Sequence, residues 1–432
     1  MDKAAFQAGL GPATRDLLAR DAAAYMRQSG STPCVSAVRR AEGVWLEDAD
    51  GRPIMDFHGN STHHIGYAHP FLLAALTRQL TELTFAPRRF TCAPAVELAE
   101  KLAALWPGGE ARVLLATGGS DAVEIALKAA RVATGRRKFL AFYDAYHGSG
   151  LGALSVSGRK IDRPARLGPL LEGVLHVPPY YRPGAVHAGE DERLARDCLA
   201  AVRYTLEREG DVAALIAEPL KNTPHVPPAW FWPEVRAACD AHGTLLIFDE
   251  IPTGLGKTGR LFASEHWAVR PDITVLGKAL GGGVVPIAAT ILHASLDVAP
   301  ELALGHYTHE KNPFTATAAL TTLAIIEDER LVANAGRQGE RALARLRDFA
   351  ERHPSVRAAR GIGLLLAVVL RDGSGRDAAT RAGSVAYRCL QAGLNLTDGE
   401  GGTLCMTPPL VISDEEMDWA LDVLDAALTA DA

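Results

Sequence analysis

Between Ala111 and Ile291 the chain repeats one pattern: a short unbroken apolar run, then a longer stretch whose apolar residues recur at helical spacing. The runs are VLLAT, FLAFY, AALIAEP, TLLIFDE and DITVLGK. Each has the length of a strand and lacks polar alternation, the signature of a strand buried on both faces. Between them, AVEIALKAARVAT and FWPEVRAACDAHG carry apolar residues three and four apart, and the second ends on a glycine suited to stop a helix. Strand alternating with helix predicts an α/β fold with a doubly wound, mostly parallel sheet and helices on both faces. After His306 the pattern changes to long helices, then RGIGLLLAVVL, then a helix around Glu415 to Leu428, which reads as a smaller α+β unit. The expected division is an N-terminal segment over 1–60 joining the small unit, a large unit over 61–305 and the C-terminal small unit over 306–432.

Composition narrows the function classes. The net charge of -6 gives no bulk attraction to nucleic acid or to an anionic membrane, although a local basic cluster could still hold a small anion. No apolar run approaches the roughly 20 residues that a membrane-spanning helix needs. The cysteines Cys34, Cys92, Cys198, Cys239, Cys389 and Cys405 include no C-x-x-C pair, so neither a zinc site nor a disulfide framework is indicated. They read as reduced thiols in a cytoplasmic setting.

In an open α/β sheet, ligands bind beyond the carboxyl ends of the strands, so the residues just after each apolar run carry the argument. After VLLA come Thr117, Gly118, Gly119 and Ser120, then a helix opening with Asp121. Glycines there admit close backbone approach, and first-turn N–H groups together with the helix dipole suit a phosphate. Taken alone, the same residues also read as an ordinary turn with an N-cap. TLLIF delivers Asp249 and Glu250 to a strand end, where a carboxylate either meets a cation or serves as a cap. DITVLG delivers Lys278, followed by Ala279, Leu280 and three glycines, a placement in which burial would lower the amine's pKa toward Schiff-base chemistry. A phosphate cradle, a carboxylate for a ring nitrogen and a lysine for an aldehyde together meet the requirements of pyridoxal 5'-phosphate. Two other motifs fail on spacing. GLGKTG has Ile251 where a nucleotide-binding loop requires glycine, and HYTHE, with His306, His309 and Glu310, matches neither order of the helical zinc motifs.

These residues sit in a chain that resembles the class III aminotransferase family, with its fold type I architecture. The likeness runs through LEDADGRPIMDF, TGGSDAVEIALKAAR, YHG, AEP, IFDEIPTGLGKTGRLFA, PDITVLGKALGGG, NPF and the terminal PPL. The resemblance implies that Lys278 carries the cofactor as a Schiff base and that Asp249 binds the pyridine nitrogen. It further implies that Gly119 and Ser120 hold the phosphate, Tyr146 and Ile251 cover the two ring faces, and Glu218 lies beside the cofactor. Thr308 would contact the phosphate of a neighbouring subunit, so a homodimer with shared active sites is implied.

The departures from the family pattern concern the substrate. Pro252 stands where glutamine is common, and Lys221 and Asn222 replace the usual Gln-Gly after AEP. In many amino-acid-using members an arginine stands three residues before the first proline of PPL; here that position is Cys405. A bidentate arginine makes two charge-assisted hydrogen bonds of roughly 1.5 to 3 kcal/mol each. Without them, carboxylate binding weakens by about 10²- to 10⁴-fold. Glu218, which can pair with that arginine, would turn to Lys221. For a substrate anion, Arg88 and Arg89 in FAPRRFT offer guanidinium forks, and the His63–His64 pair in FHGNSTHHIGY reads either as packing or, at His64, as a donor. These features look like a branch of the family that eliminates ammonia from small aminophosphonates; the alternative is transfer of an amino group from an ω-amine to a keto acid or aldehyde.

Overall fold

The structure, a computed structural model, describes residues 1–163, 165–183, 188–373 and 375–431. Strands β1 (Val38–Glu42), β2 (Trp45–Asp48) and β3 (Pro53–Asp56) lie near the N-terminus. The middle of the chain supplies β4 (Ala111–Ala116), β5 (Lys138–Phe142), β6 (Val174–Val177), β7 (Val212–Ala217), β8 (Leu245–Asp249), β9 (Ile273–Leu276) and β10 (Ala288–His293). The C-terminal part adds β11 (Val356–Ile362), β12 (Leu365–Leu370), β13 (Leu394–Asn395), β14 (Thr397–Gly399) and β15 (Thr403–Met406).

The seven middle strands form one sheet in the order β4-β10-β9-β8-β7-β5-β6, as the alternating pattern leads one to expect. Neighbours among β6, β5, β7, β8 and β9 run parallel, whereas β10 is antiparallel to both β9 and β4. All five apolar runs are strands of this sheet, and every residue of β7 and β9 is buried. The two further strands, β6 and β10, were hidden for different reasons. Edge strand β6 is only half-buried and contains His176. β10 is buried but includes Thr290, whose hydroxyl is satisfied inside the core by donating to the Ala122 carbonyl at 2.8 Å. Helix Gly119–Thr134 stops at Gly135, which adopts the left-handed conformation that a helix stop favours.

A second sheet joins β1, β2 and β3 to β13, with Leu394 beside Met55 and Asn395 beside Asp56, so the first sixty residues share a sheet with the C-terminal part. RGIGLLLAVVL folds into the β11–β12 hairpin of a third sheet, ordered β11-β12-β15-β14. Helix Asp414–Thr429 starts with a capping box between Ser413 and Glu416. It is fastened to helix Leu331–Arg352 by ion pairs from Arg337, Arg341, Arg345 and Arg352 to Asp414, Asp418, Asp422 and Asp425.

GLGKTG connects the C-terminal hairpin and the segment after β15 to the large sheet. Lys257 is fully buried and donates to the Pro408 carbonyl at 2.8 Å, and its own carbonyl accepts from Leu364 N at 2.9 Å. Gly363 turns the hairpin at φ +53°, where a Cβ would stand 2.4 Å from the Thr258 carbonyl carbon. The motif that mimics a nucleotide loop is thus a clasp between two parts of the chain. All six cysteines are free thiols, five buried and Cys34 partly exposed. Among the described residues, no helix is long and apolar enough to cross a membrane.

Candidate active site

Five strand ends meet at one edge of the seven-stranded sheet. β4 leads directly into Gly118, Gly119 and Ser120, and no side chain caps the first turn of helix Gly119–Thr134. That helix end can accept an anion. A Cβ on Gly119 would lie 2.8 Å from Cδ1 of Ile251, so a side chain there would collide with the wall after β8. Ser120 Oγ accepts from the Ser149 amide at 2.9 Å, tying the β4 end to the loop after β5.

Asp249 ends β8 and is almost wholly buried. Its Oδ2 lies 2.7 Å from Nδ1 of buried His147, and its Oδ1 accepts from the Ile251 amide at 3.1 Å. His147 was legible only as part of YHG, with nothing in the sequence to pair it with a residue 102 positions later. Glu250, by contrast, faces away from the site and accepts from the amides of Ala263 and Ser264 at 2.6 and 2.9 Å, which makes it a cap.

Lys278 follows β9 in the left-handed region, at φ +46°, an uncommon conformation for a residue with a Cβ and one found at functional sites. Its amine makes no hydrogen bond to any described residue. Desolvation lowers its pKa; Asp249 and Glu218 oppose that shift, while Lys221 and Arg159 add to it. A lysine held this way is neutral more often than a solvated one and is correspondingly nucleophilic.

The strand ends open into a cleft of about 660 Å³. Gly119, Ser120, Tyr146, Glu218, Asp249, Ile251 and Lys278 all line it, as does Lys221. Lys221 Nζ donates to Glu218 at 2.9 Å, the pairing expected once residue 405 is not arginine. Cys405 lies behind the wall, against Gly399, and burial raises its thiol pKa to about 12. Arg159 and His225 also line the cleft, and neither was singled out from the sequence.

Other expected residues lie elsewhere in the protomer. His64 is outside the cleft's lining: its buried ring lies with Nε2 3.3 Å from the Gly254 carbonyl, and its own carbonyl accepts from Leu410 N. Arg88, Arg89 and Thr308 are exposed and outside the lining, with Arg88 Nη1 donating to the His306 carbonyl at 3.0 Å.

An uncapped, glycine-walled helix start, a buried carboxylate and a strained lysine with an unpartnered amine fit the phosphate, ring nitrogen and aldehyde of pyridoxal phosphate. With the mostly parallel sheet, they define a pyridoxal-phosphate-dependent enzyme of fold type I. The chain belongs to the aminotransferase class-III family, whose pattern matches residues 25–428. It is 39% identical over 434 residues to the (R)-1-hydroxy-2-aminoethylphosphonate ammonia-lyase of Vibrio splendidus, covering 96% of this chain and 90% of that protein. To the alanine/serine racemase of Pyrococcus horikoshii it is 32% identical, covering 97% of this chain and 91% of the relative. An amine transaminase from an uncultivated Pseudomonas species, solved in its PLP-bound form, superposes with a TM-score of 0.86 at 31% identity, over 95% of this chain and 99% of that one.

Proposed function

We propose that the protein is an ammonia-lyase acting on a small aminophosphonate such as 2-amino-1-hydroxyethylphosphonate. The observation that carries this reading is the pairing of a complete Lys278–Asp249 site with a buried thiol at Cys405 and a Lys221–Glu218 ion pair in place of a carboxylate clamp. The 39% likeness to an enzyme of that name supports it. In this reading Gly119 and Ser120 hold the cofactor phosphate, Asp249 holds the ring nitrogen, Tyr146 and Ile251 enclose the ring, and Glu218 borders it. Bound pyridoxal phosphate supplies an electron sink for the pair left behind when a carbon gives up its proton.

Lys278 would hold the cofactor's aldehyde carbon, and its amine, once free, would take a proton from the substrate carbon bearing nitrogen. His147, with Nδ1 2.7 Å from Oδ2, keeps the Asp249 carboxylate oriented. Loss of the neighbouring hydroxyl as water leaves an enamine, which becomes an imine and takes up water to yield phosphonoacetaldehyde and ammonia. Atoms balance with no keto acid.

Amino transfer is the second reading, favoured by the 31% likeness to an amine transaminase. Ammonia measured with the aminophosphonate and no keto acid separates the two. Continuous release over many turnovers is expected; no ammonia, with at most one equivalent of carbonyl product per site because the amino group is kept on the cofactor, would overturn the lyase reading in favour of the transaminase.

We also propose a homodimer. Phe71, Leu80, Phe85 and Phe90 are exposed apolar residues near Arg88 and Arg89 in the chain, and Val284 is exposed beside a second cavity that reaches Gly119 and Lys278 from behind. A second copy covering these surfaces would bring its Thr308, Arg88 and Arg89 toward this site. Sedimentation should give twice the chain mass.

A further inference from the structure

Donors reach the cleft from two directions with hydrogen-bonding capacity left over. Arg159 precedes the turn Lys160–Asp162 and lines the cleft with its side chain about one-third exposed, at 34%. Asp162 takes its Nε and Nη2, and its flat face lies over Tyr146 with the guanidinium carbon 4.4 Å from the ring centroid. Nη1 has no hydrogen bond among the described residues. A guanidinium braced on an edge and a face has little rotamer freedom left to lose when an anion docks.

Lys221 and His225 stand at the two ends of a short hairpin loop closed by Lys221 N donating to the His225 carbonyl at 3.3 Å. Lys221 Nζ gives one N–H to Glu218 and keeps two. His225 is set by Arg360, whose Nη2 lies 2.9 Å from the ring Nε2. A guanidinium only donates, so Nε2 accepts and the ring proton sits on Nδ1. Tyr181 stacks on the same ring at 4.6 Å. Burial, with the charges of Arg360 and Lys221, pushes the His225 pKa down to about 2, so the ring stays a neutral donor.

We propose that Arg159, Lys221 and His225 form a subsite for the phosphonate of a small amine whose nitrogen is bound at Lys278. The inference rests on the lyase reading for the rest of the substrate. The three donors left free among the described residues, Arg159 Nη1, Lys221 Nζ and His225 Nδ1, match the phosphonate's three oxygens. A carboxylate, with two oxygens, leaves one of these donors without a partner. Asp398 and Glu400 also border the cleft, repelling a free anion and attracting the substrate's ammonium, so the lining favours a zwitterion.

The test is calorimetric binding to the holoenzyme of 2-aminoethylphosphonate, β-alanine and 2-aminoethanol, which share an aminoethyl skeleton and differ in the terminal group. The wild-type protein should bind the phosphonate most tightly. Arg159→Gln and Lys221→Gln should each weaken phosphonate binding by about 10- to 100-fold. Both should leave 2-aminoethanol unchanged, and Arg159→Lys should recover part of the loss. Equal weakening of phosphonate and alcohol overturns the subsite. Ammonia release from 2-amino-1-hydroxyethylphosphonate by the same preparations keeps the two ideas apart. A wild-type protein that releases no ammonia yet binds phosphonate through Arg159 refutes the lyase and retains the subsite. Ammonia release with phosphonate binding indifferent to both substitutions does the reverse.

Discussion

Lys278 combines a left-handed backbone with a desolvated amine that has no hydrogen-bond partner among the described residues, so its replacement should remove chemistry and leave the fold intact. Lys278→Ala is expected to lose covalently held cofactor, seen in its visible absorbance, and to lower ammonia release by about 10²- to 10⁴-fold. Retained covalent absorbance would mean that another amine carries the cofactor. His147→Phe deprives Asp249 of its 2.7 Å donor, and turnover should fall about 10- to 100-fold with the cofactor lost more readily on dialysis. At this scale the sequence was informative wherever a charge stood directly after an apolar run, as at Asp249 and Lys278, because strand direction alone carries such residues to the ligand edge. It was silent on His147, Arg159 and His225. Their relevance depends on loops that fold back from distant positions, and no local periodicity records where those loops close. His64 was ambiguous for the complementary reason: a histidine beside a glycine turn reads equally as packing or as a donor until its burial is seen.

Among the elements, the parallel core was legible because strands buried on both faces must be apolar throughout. β10 escaped that rule, since a threonine that bonds a helix carbonyl is as well buried as a valine. The β11–β12 hairpin depends on Gly363 for both its conformation and its contact with Thr258. Gly363→Ala should therefore destabilise the protein by about 2 to 4 kcal/mol, from backbone strain together with the displaced strand turn. Denaturant unfolding measures this; a change under about 0.5 kcal/mol, ordinary for a surface site, would show that the turn can shift freely.

For the whole molecule, the clasp at Lys257 couples stability to pH. Burial lowers its pKa from 10.5 to about 7, with Asp56 opposing the shift. Between these values the unfolded chain holds a proton that the folded protein has released, so this site makes stability rise with pH across that window. Below about 7 both states are protonated, and the full penalty of a buried charge is present. Lys257→Met should flatten the gain in thermal midpoint between pH 7.5 and 9.5; an unchanged gain would assign the pH dependence to other groups. The clasp was invisible in the sequence, where GLGKTG suggested only a failed nucleotide loop, because its partner carbonyl lies 151 residues away.

The distribution of the thiols makes the protein selective toward electrophiles. Cys198, Cys239, Cys389 and Cys405 are sealed and have pKa values raised by burial, and Cys92 is buried as well. Only Cys34 is within reach, and it is slow, because partial burial and Asp21 keep its thiol protonated. A disulfide-exchange reagent should thus titrate one thiol per native chain and all six after denaturation, with full turnover retained. That leaves Cys34 as a natural attachment point for a fluorophore or a surface tether, with no need to remove the other five cysteines.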